Sequence, residues 1–284
     1  MSNCRVISII NMKGGVGKTT LAVNLGYTLT KFHNKKVLIL DTDPQMTSTI
    51  YLTNEKDCEK ILKTGGNKGY EETKENDDIT LYSLLLHSSF SKKITKYIKK
   101  VGTLDFIPSH LDIAEIQSSG DPFQLNLFIE HSKLKEQYDF IFIDAPPTIS
   151  EFTKMSLLAS DGYLIPTTVH PFSIYGIELM QRYSNNLKRV YRWPGAIWYG
   201  TVFNKYPTSL TLNQKALISN LKSKYPNTVF KSVIHNVTGV STMQWNKTVL
   251  KRFIAENAKN NAYPDIQNLA TEFLEKQNSI SIQT

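Results

Sequence analysis

Residues 4–20 read CRVISIINMKGGVGKTT: an apolar run, a turn rich in glycine, then a lysine and two threonines. The run RVISIINM is short and rich in β-branched residues, as a strand buried on both faces of a parallel sheet should be. From Lys18 onward, KTTLAVNLGYTLTKFH places its apolar residues at helical spacing. Strand, glycine turn, helix is the context in which GGVGKTT becomes a phosphate loop. Glycines admit phosphates close to the backbone and turn N–H groups toward them, and the following helix N-terminus adds a favourable dipole. Gly14, Gly15, Val16 and Gly17 would form the cradle. Lys18 would reach the β- and γ-phosphates, the Thr19 hydroxyl suits Mg²⁺, and Thr20 can reach the α-phosphate.

Outward from this loop, strand and helix patterns alternate. KKVLILDTDP, DFIFIDAPP, GYLIPTT, GAIWYGTVFNKY and a run near 229–234 read as further strands. Helical patterns lie near 121–137, 150–159, 173–190, 209–223, 241–256 and 264–276. The alternation predicts an α/β fold, a doubly wound and mostly parallel sheet flanked by helices. Residues 53–79, TNEKDCEKILKTGGNKGYEETKENDDI, are polar and highly charged, and read as a surface insertion or mobile loop. Without a Pro-rich linker or internal repeat, residues 1–284 read as a single domain, with carboxyl-terminal helices near 241–276 packed onto it.

Composition narrows the partners. Hydrophobic residues make up 40% of the 284, enough for a sizeable core. No stretch approaches the roughly 18–20 apolar residues of a membrane span, and the N-terminus lacks the pattern of a signal peptide. Cys4 and Cys58 make neither a disulfide framework nor a metal spacing, so a reduced, cytoplasmic protein is expected. The net charge of +8 is unevenly placed. Residues 1–150 hold 18 basic and 18 acidic side chains, whereas residues 182–252 hold twelve basic ones and no acid. Charge segregated in this way suggests a polyanionic partner.

The phosphate loop departs from G-x-x-x-x-G-K-[ST], with Met12 at the first glycine position and an extra lysine, Lys13, ahead of the glycines. In its form K-G-G-x-G-K-T the sequence resembles the deviant Walker A ATPases, a class that contains ParA partition proteins, MinD, arsenical pump ATPases and the nitrogenase iron protein. The resemblance implies ATP and Mg²⁺ as ligands. It also implies that Lys13 reaches across a dimer interface to the partner's nucleotide, so that ATP binding and homodimer formation become one event. A cation supplied there would neutralise charge developing on the transferred phosphoryl group.

Phosphoryl transfer to water also needs Mg²⁺ held in place and a water aligned for attack. Carboxylates at the carboxyl ends of parallel strands suit both tasks. LILDTDPQMTS offers Asp41 and Asp43, and resembles the family's D-x-D-P-Q segment. FIFIDAPPT offers Asp144, and resembles its D-x-P-P segment. Asp43 is the candidate to orient or activate the water, with Asp41 supporting the Mg²⁺ shell; these two roles could be exchanged. Asp144 would bind Mg²⁺ through water and sense the γ-phosphate. Asn204, at the end of GTVFNKY, stands where the family often reads the base. Where the family commonly has Ile-Pro-Arg after the last strand, this chain has Ile234, His235 and Asn236.

From Val6 to about Leu274 the details are most similar to ParA. Cysteines for an iron–sulfur cluster are missing from the middle of the chain, and its end, DIQNLATEFLEKQNSISIQT, is unlike the basic amphipathic membrane helix of MinD. The resemblance implies a nucleoid-associated ATPase that segregates a plasmid or chromosome. Its ATP dimer would bind nonspecific DNA, and a ParB-type centromere-binding protein would stimulate hydrolysis. Arg182, Lys188, Arg189, Lys215, Lys222, Lys247, Lys251 and Arg252 are the candidates for phosphate contact. The phosphate loop comes so early that no operator-reading helix-turn-helix is expected before it. The alternative is a MinD-like positioning ATPase acting on a membrane or protein scaffold.

Overall fold

The computed structural model describes residues 4–64, 80–86, 94, 97–118, 121–236, 253–254 and 262–281. Among the described residues eight strands form one sheet. They are β1 (Arg5–Ile9), β2 (Val37–Asp41), β3 (Lys99–Val101), β4 (Leu104–Ile107), β5 (Phe140–Asp144), β6 (Gly162–Thr167), β7 (Ile197–Tyr206) and β8 (Val229–His235). Their order is β3-β4-β2-β5-β1-β6-β7-β8. Every pairing is parallel except the edge pair β3–β4. The doubly wound, mostly parallel sheet expected from the sequence is therefore the fold of this chain.

The described helices are α1 (Lys18–Phe32), α2 (Thr47–Leu52), α3 (Glu55–Thr64), α4 (Leu81–Leu86), α5 (Gln124–His131), α6 (Glu151–Leu158), α7 (Pro171–Tyr191), α8 (Leu212–Lys224) and α9 (Tyr263–Ser281). Alternation within each strand sends side chains to opposite faces of the sheet. Ile7 and Ile9 of β1 join a cluster with α1 and α9, through Leu21, Leu25, Leu269 and Phe273. On the other face, Val6, Leu38, Ile141 and Ile143 pack with α5 and α6, through Phe128 and Met155. Farther along that face Tyr163, Ile165 and Phe203 meet α7 and α8, through Met180 and Leu221. The strand order reverses around β1, with β5 on one side and β6 on the other. Such a reversal opens a crevice beyond the carboxyl ends of the strands, where ligands of this fold bind.

Several expectations need correction. Part of the segment read as an insertion or mobile loop is helix α3, anchored by the fully buried Ile61; residues 65–79 lie outside the described residues. The helix expected over 121–137 stops at His131. There the Ser132 hydroxyl donates back to the Phe128 carbonyl at 2.6 Å, and Lys133 turns left-handed with φ 54°. A short 3₁₀ turn, Leu134–Glu136, follows. Strands β3 and β4 carried no clear period: β4 has only four residues and one of them is Asp105, which accepts from the Tyr138 hydroxyl at 2.9 Å. The helix expected near 241–256 falls almost wholly outside the described residues, as do Lys247, Lys251 and Arg252. Among the described residues no helix is long and apolar enough to cross a membrane.

Candidate nucleotide site

The glycine turn ends β1 and delivers α1. Gly17 precedes the helix with φ 87° and ψ 37°, a left-handed conformation that glycine adopts without steric cost. No side chain caps α1 and no acid stands in its first turn, so its leading N–H groups are left for a ligand. Asn204 braces the loop from the end of β7. Its Nδ2 donates to the Val16 carbonyl at 3.0 Å and to the Gly17 carbonyl at 3.3 Å, and its Oδ1 accepts from the Lys205 N–H at 2.9 Å. A Cβ at position 17 would collide with that Nδ2. Asn204, expected at the base, thus has its amide turned onto the phosphate loop.

The strand register brings the acids together. Ile9 and Asp41 both pair with Asp144, so the three strand ends lie level at the mouth of the crevice. The Thr19 hydroxyl donates to Asp144 Oδ2 at 2.6 Å and lies 3.0 Å from the Thr47 hydroxyl. Thr47 in turn reaches Asp43 Oδ2 at 3.3 Å. Ser48 donates to Asp144 Oδ2 at 2.7 Å. Asp43 also accepts the Gln45 N–H at 2.9 Å, which closes the turn leading into α2. Asp144 Oδ1 is buried and has no hydrogen-bond partner among the described residues. A buried carboxylate oxygen left unpaired is costly and calls for an explanation in a ligand, water or ion.

Asp41 departs from its expected place in a Mg²⁺ shell. It is fully buried, and both of its oxygens already accept from protein groups. Oδ2 takes the Thr49 N–H and hydroxyl, each at 2.7 Å, and Oδ1 takes the Asp43 N–H at 3.1 Å. It ties α2 to the end of β2. Thr47, Ser48 and Thr49 were not singled out from the sequence. The signal was present in the hydroxyl run TST directly after DTDPQM.

Burial and charge act against each other here. Burial lowers the Lys18 pKa, opposed by Asp144 and Asp43. Burial pushes Asp144 up to about 6, against the Thr19 and Ser48 hydrogen bonds and the Lys18 charge. Asp41 is raised well above the usual carboxylate range, first by burial and then by the neighbouring Asp144. Burial is the leading cause of all three shifts, each against the charged form.

Lys13 ties the start of the phosphate loop to α7. Its Nζ donates to Ser173 Oγ of α7 at 3.0 Å, while Asn11 Oδ1 accepts its N–H at 2.9 Å. Beside this contact, α7 presents Phe172, Tyr175 and Leu179 to solvent, the first two 73% and 63% exposed. Ile149, in the loop after Asp144, is also exposed. Of the phosphate-contact candidates, Arg182, Lys188 and Arg189 lie on α7, and Lys215 and Lys222 on α8. None of these five pairs with an acid among the described residues. Lys224, in the same region, does pair with Glu178 at 2.5 Å.

Comparison with known proteins agrees with this layout. The family model described as "AAA domain" matches residues 4–192. An uncharacterised protein of Methanocaldococcus jannaschii is 33% identical over 270 residues, covering 92% of this chain and 96% of that protein. A virulence plasmid ParA family protein of Chlamydia psittaci is 27% identical over 285 residues, covering 96% of this chain and 95% of its own. Among solved structures, a putative plasmid partition protein from Borrelia burgdorferi, bound to AMPPNP, superposes with a TM-score of 0.65 at 26% identity, covering 96% of this chain and 98% of that one. With the phosphate loop, the level strand-end acids and these relatives together, the chain belongs to the AAA domain family, among its ParA-type P-loop ATPases.

Proposed function

We propose that this chain is a Mg²⁺-dependent ATPase that acts as a DNA partition switch. The observation that carries the ATPase reading is the cluster of Thr19, Thr47, Asp43 and Asp144, with Asp144 Oδ1 unpaired beside the phosphate loop. These groups fit Mg²⁺, which accepts one or two carboxylates together with substrate phosphates rather than an all-protein cage. Among the described residues no group of three His, Cys, Asp or Glu is placed to hold a metal unaided. The Thr19 hydroxyl and Asp144 would hold the ion, which supplies charge neutralisation on the β- and γ-phosphates. Lys18 sits on the β- and γ-phosphates, and the free N–H groups at the start of α1 bind phosphate oxygens. Asp43 orients the attacking water, with Thr47 fixing the carboxylate. Asp41 acts one step back, holding α2 in register through Thr49.

Two monomers would close over the nucleotides along the face that carries Lys13, Ile149, Phe172, Tyr175 and Leu179. Exposed apolar side chains at positions 172, 175 and 179 line one side of α7, as a helix surface buried by a second copy would. Closing that interface requires Lys13 to leave Ser173 and reach the partner's nucleotide. Arg182, Lys188, Arg189, Lys215 and Lys222 would meet DNA phosphates without reading sequence. A ParB-type partner would stimulate hydrolysis, separate the dimer and release the DNA.

Binding to a nonspecific duplex tests the reading when measured with ATP, ADP and no nucleotide across a salt series, for wild type and Lys13→Ala. Binding that needs ATP, weakens steeply with salt and is lost in Lys13→Ala is expected. Binding indifferent to nucleotide and to Lys13 would sink the switch.

A further inference from the structure

Asn24 lies on α1 one turn beyond the phosphate loop, fully buried. Its side-chain amide joins three separate parts of the chain. Nδ2 donates to the Thr20 carbonyl at 2.8 Å and to the Tyr51 hydroxyl on α2 at 3.1 Å. Oδ1 accepts the backbone N–H of Ile254 at 2.7 Å. An amide has one acceptor oxygen and one donor nitrogen, so these partners fix its orientation. The same segment is latched a second time, one turn along α1. There the Phe253 ring stacks on Tyr27 with centroids 3.7 Å apart and planes within 4°. Phe253 and Ile254 are each only 2% exposed.

Each arm of this junction leads somewhere chemical. Thr20 follows Thr19, which bonds Asp144. Tyr51 is one turn along α2 from Thr47 and Ser48, the two residues that touch Asp43 and Asp144. A ligand placed between Thr19, Thr47 and Asp144 must break the Thr19–Thr47 hydrogen bond, which now joins α1 to α2. α2 is only six residues long, so its first turn cannot shift without carrying Tyr51. On the third arm, Lys251 and Arg252 immediately precede Phe253 in sequence.

We propose that Asn24 is a positioning residue that couples the nucleotide site to the hold on Phe253 and Ile254. The occupied and empty sites set two positions of α2, Tyr51 transmits the difference to the amide, and the amide keeps or releases the Ile254 N–H. A buried N–H that loses its acceptor is costly, so the segment and the amide move together. Any consequence for DNA binding rests on the partition reading above; the coupling itself does not.

Amide hydrogen exchange read by mass spectrometry on the peptide containing Ile254 tests this. It would be run with and without a nonhydrolysable ATP analogue and Mg²⁺, on wild type, Tyr51→Phe and Phe253→Leu. Nucleotide should change exchange at Ile254 by about tenfold in wild type, within the range of coupling between linked sites. In Tyr51→Phe that response should disappear while analogue affinity moves less than about threefold, the loss of one uncharged hydrogen bond away from the ligand. Phe253→Leu should speed exchange in both states and keep the response, because it weakens the latch and leaves the amide intact. Exchange indifferent to nucleotide in wild type, or an undiminished response in Tyr51→Phe, overturns the coupling. A wild type whose exchange responds but which binds no DNA keeps the coupling and overturns the partition reading instead.

Discussion

The amino-terminal half of this chain draws its functional charges inward, and the carboxyl-terminal half spreads them outward. Lys18, Asp41, Asp43 and Asp144 are all buried, and every carboxylate oxygen among them except Asp144 Oδ1 accepts from a named neighbour. Arg182, Arg189, Lys215 and Lys222 are exposed. Their nearest fixed contacts are slight, such as the hydrogen bond from Arg189 to Asn186 at 3.0 Å. Buried charge is tolerated only where partners compensate it, so each residue is specified individually. Exposed charge acts through a summed field, so individual residues are interchangeable. Substitution should therefore be abrupt in the first half and graded in the second.

The sharpest break of that contrast lies at Lys18. Lys18→Ala removes the cation whose charge opposes the rise of the Asp144 pKa. ATP hydrolysis measured as phosphate release should fall by about 10²–10³-fold, the scale of losing a preorganised donor to a transition state. Residual DNA binding without nucleotide should stay unchanged. A variant that still hydrolyses ATP within tenfold of wild type would mean that the inward charges are as replaceable as the outward ones.

What could be read from the sequence divides along the same line. The loop GGVGKTT, the strands ending in Asp41 and Asp144, and the alternation of β and α are local signals, and the parallel sheet follows from them. The hydroxyls of Thr47 and Ser48 were less visible. Threonine and serine after a turn usually serve the backbone, and only the register of β2 against β5 brings α2 over Asp144. Asp41 and Asp43 could not be told apart by spacing alone. The difference arises from Thr49, whose N–H and hydroxyl both turn to Asp41. In the basic half the excess charge was countable, yet its use was not. Lys224 has the same type and helix as Lys222, but Glu178 claims it from a different helix.

Single substitutions in that half should show the graded behaviour. Arg182→Ala, Lys215→Ala and Lys222→Ala should each weaken nonspecific DNA binding several-fold and reduce the slope of log K against log salt by about one, as the loss of one phosphate contact does. Hydrolysis in the absence of DNA should be unaffected. Lys224→Ala, already paired, should have the smallest effect of the group. If one of these variants abolished binding at every salt concentration, that residue would be an anchor of the inward kind, and the two halves would differ less than their burial suggests.

The smallest expected effect runs against intuition, since it makes the protein more stable by damaging its site. Asp144 is pushed from the ordinary 3.8 up to about 6, mainly by burial. A group whose folded pKa is raised binds more protons in the folded than in the unfolded chain. Its contribution to stability is then complete below the unfolded value and is lost as pH rises through the folded one. At pH 7 the nucleotide-free protein therefore carries a buried, ionised Asp144 with one oxygen unpaired. Asp144→Asn removes that charge. Its melting temperature in the absence of nucleotide should exceed that of wild type at pH 7, by a few degrees for each kcal/mol recovered, and the gap should narrow as pH falls from about 6 toward 4. Asp41, raised in the same direction, is present in both proteins, so the difference between them isolates Asp144 together with its effect on Asp41. Adding ATP and Mg²⁺ should reverse the order, because only wild type keeps the carboxylate that the ion needs and gains stability by binding. A gap that ignored pH would show that Asp144 has the same pKa in the folded and unfolded chains, and that the inward half of the molecule does not store the uncompensated charge its geometry implies.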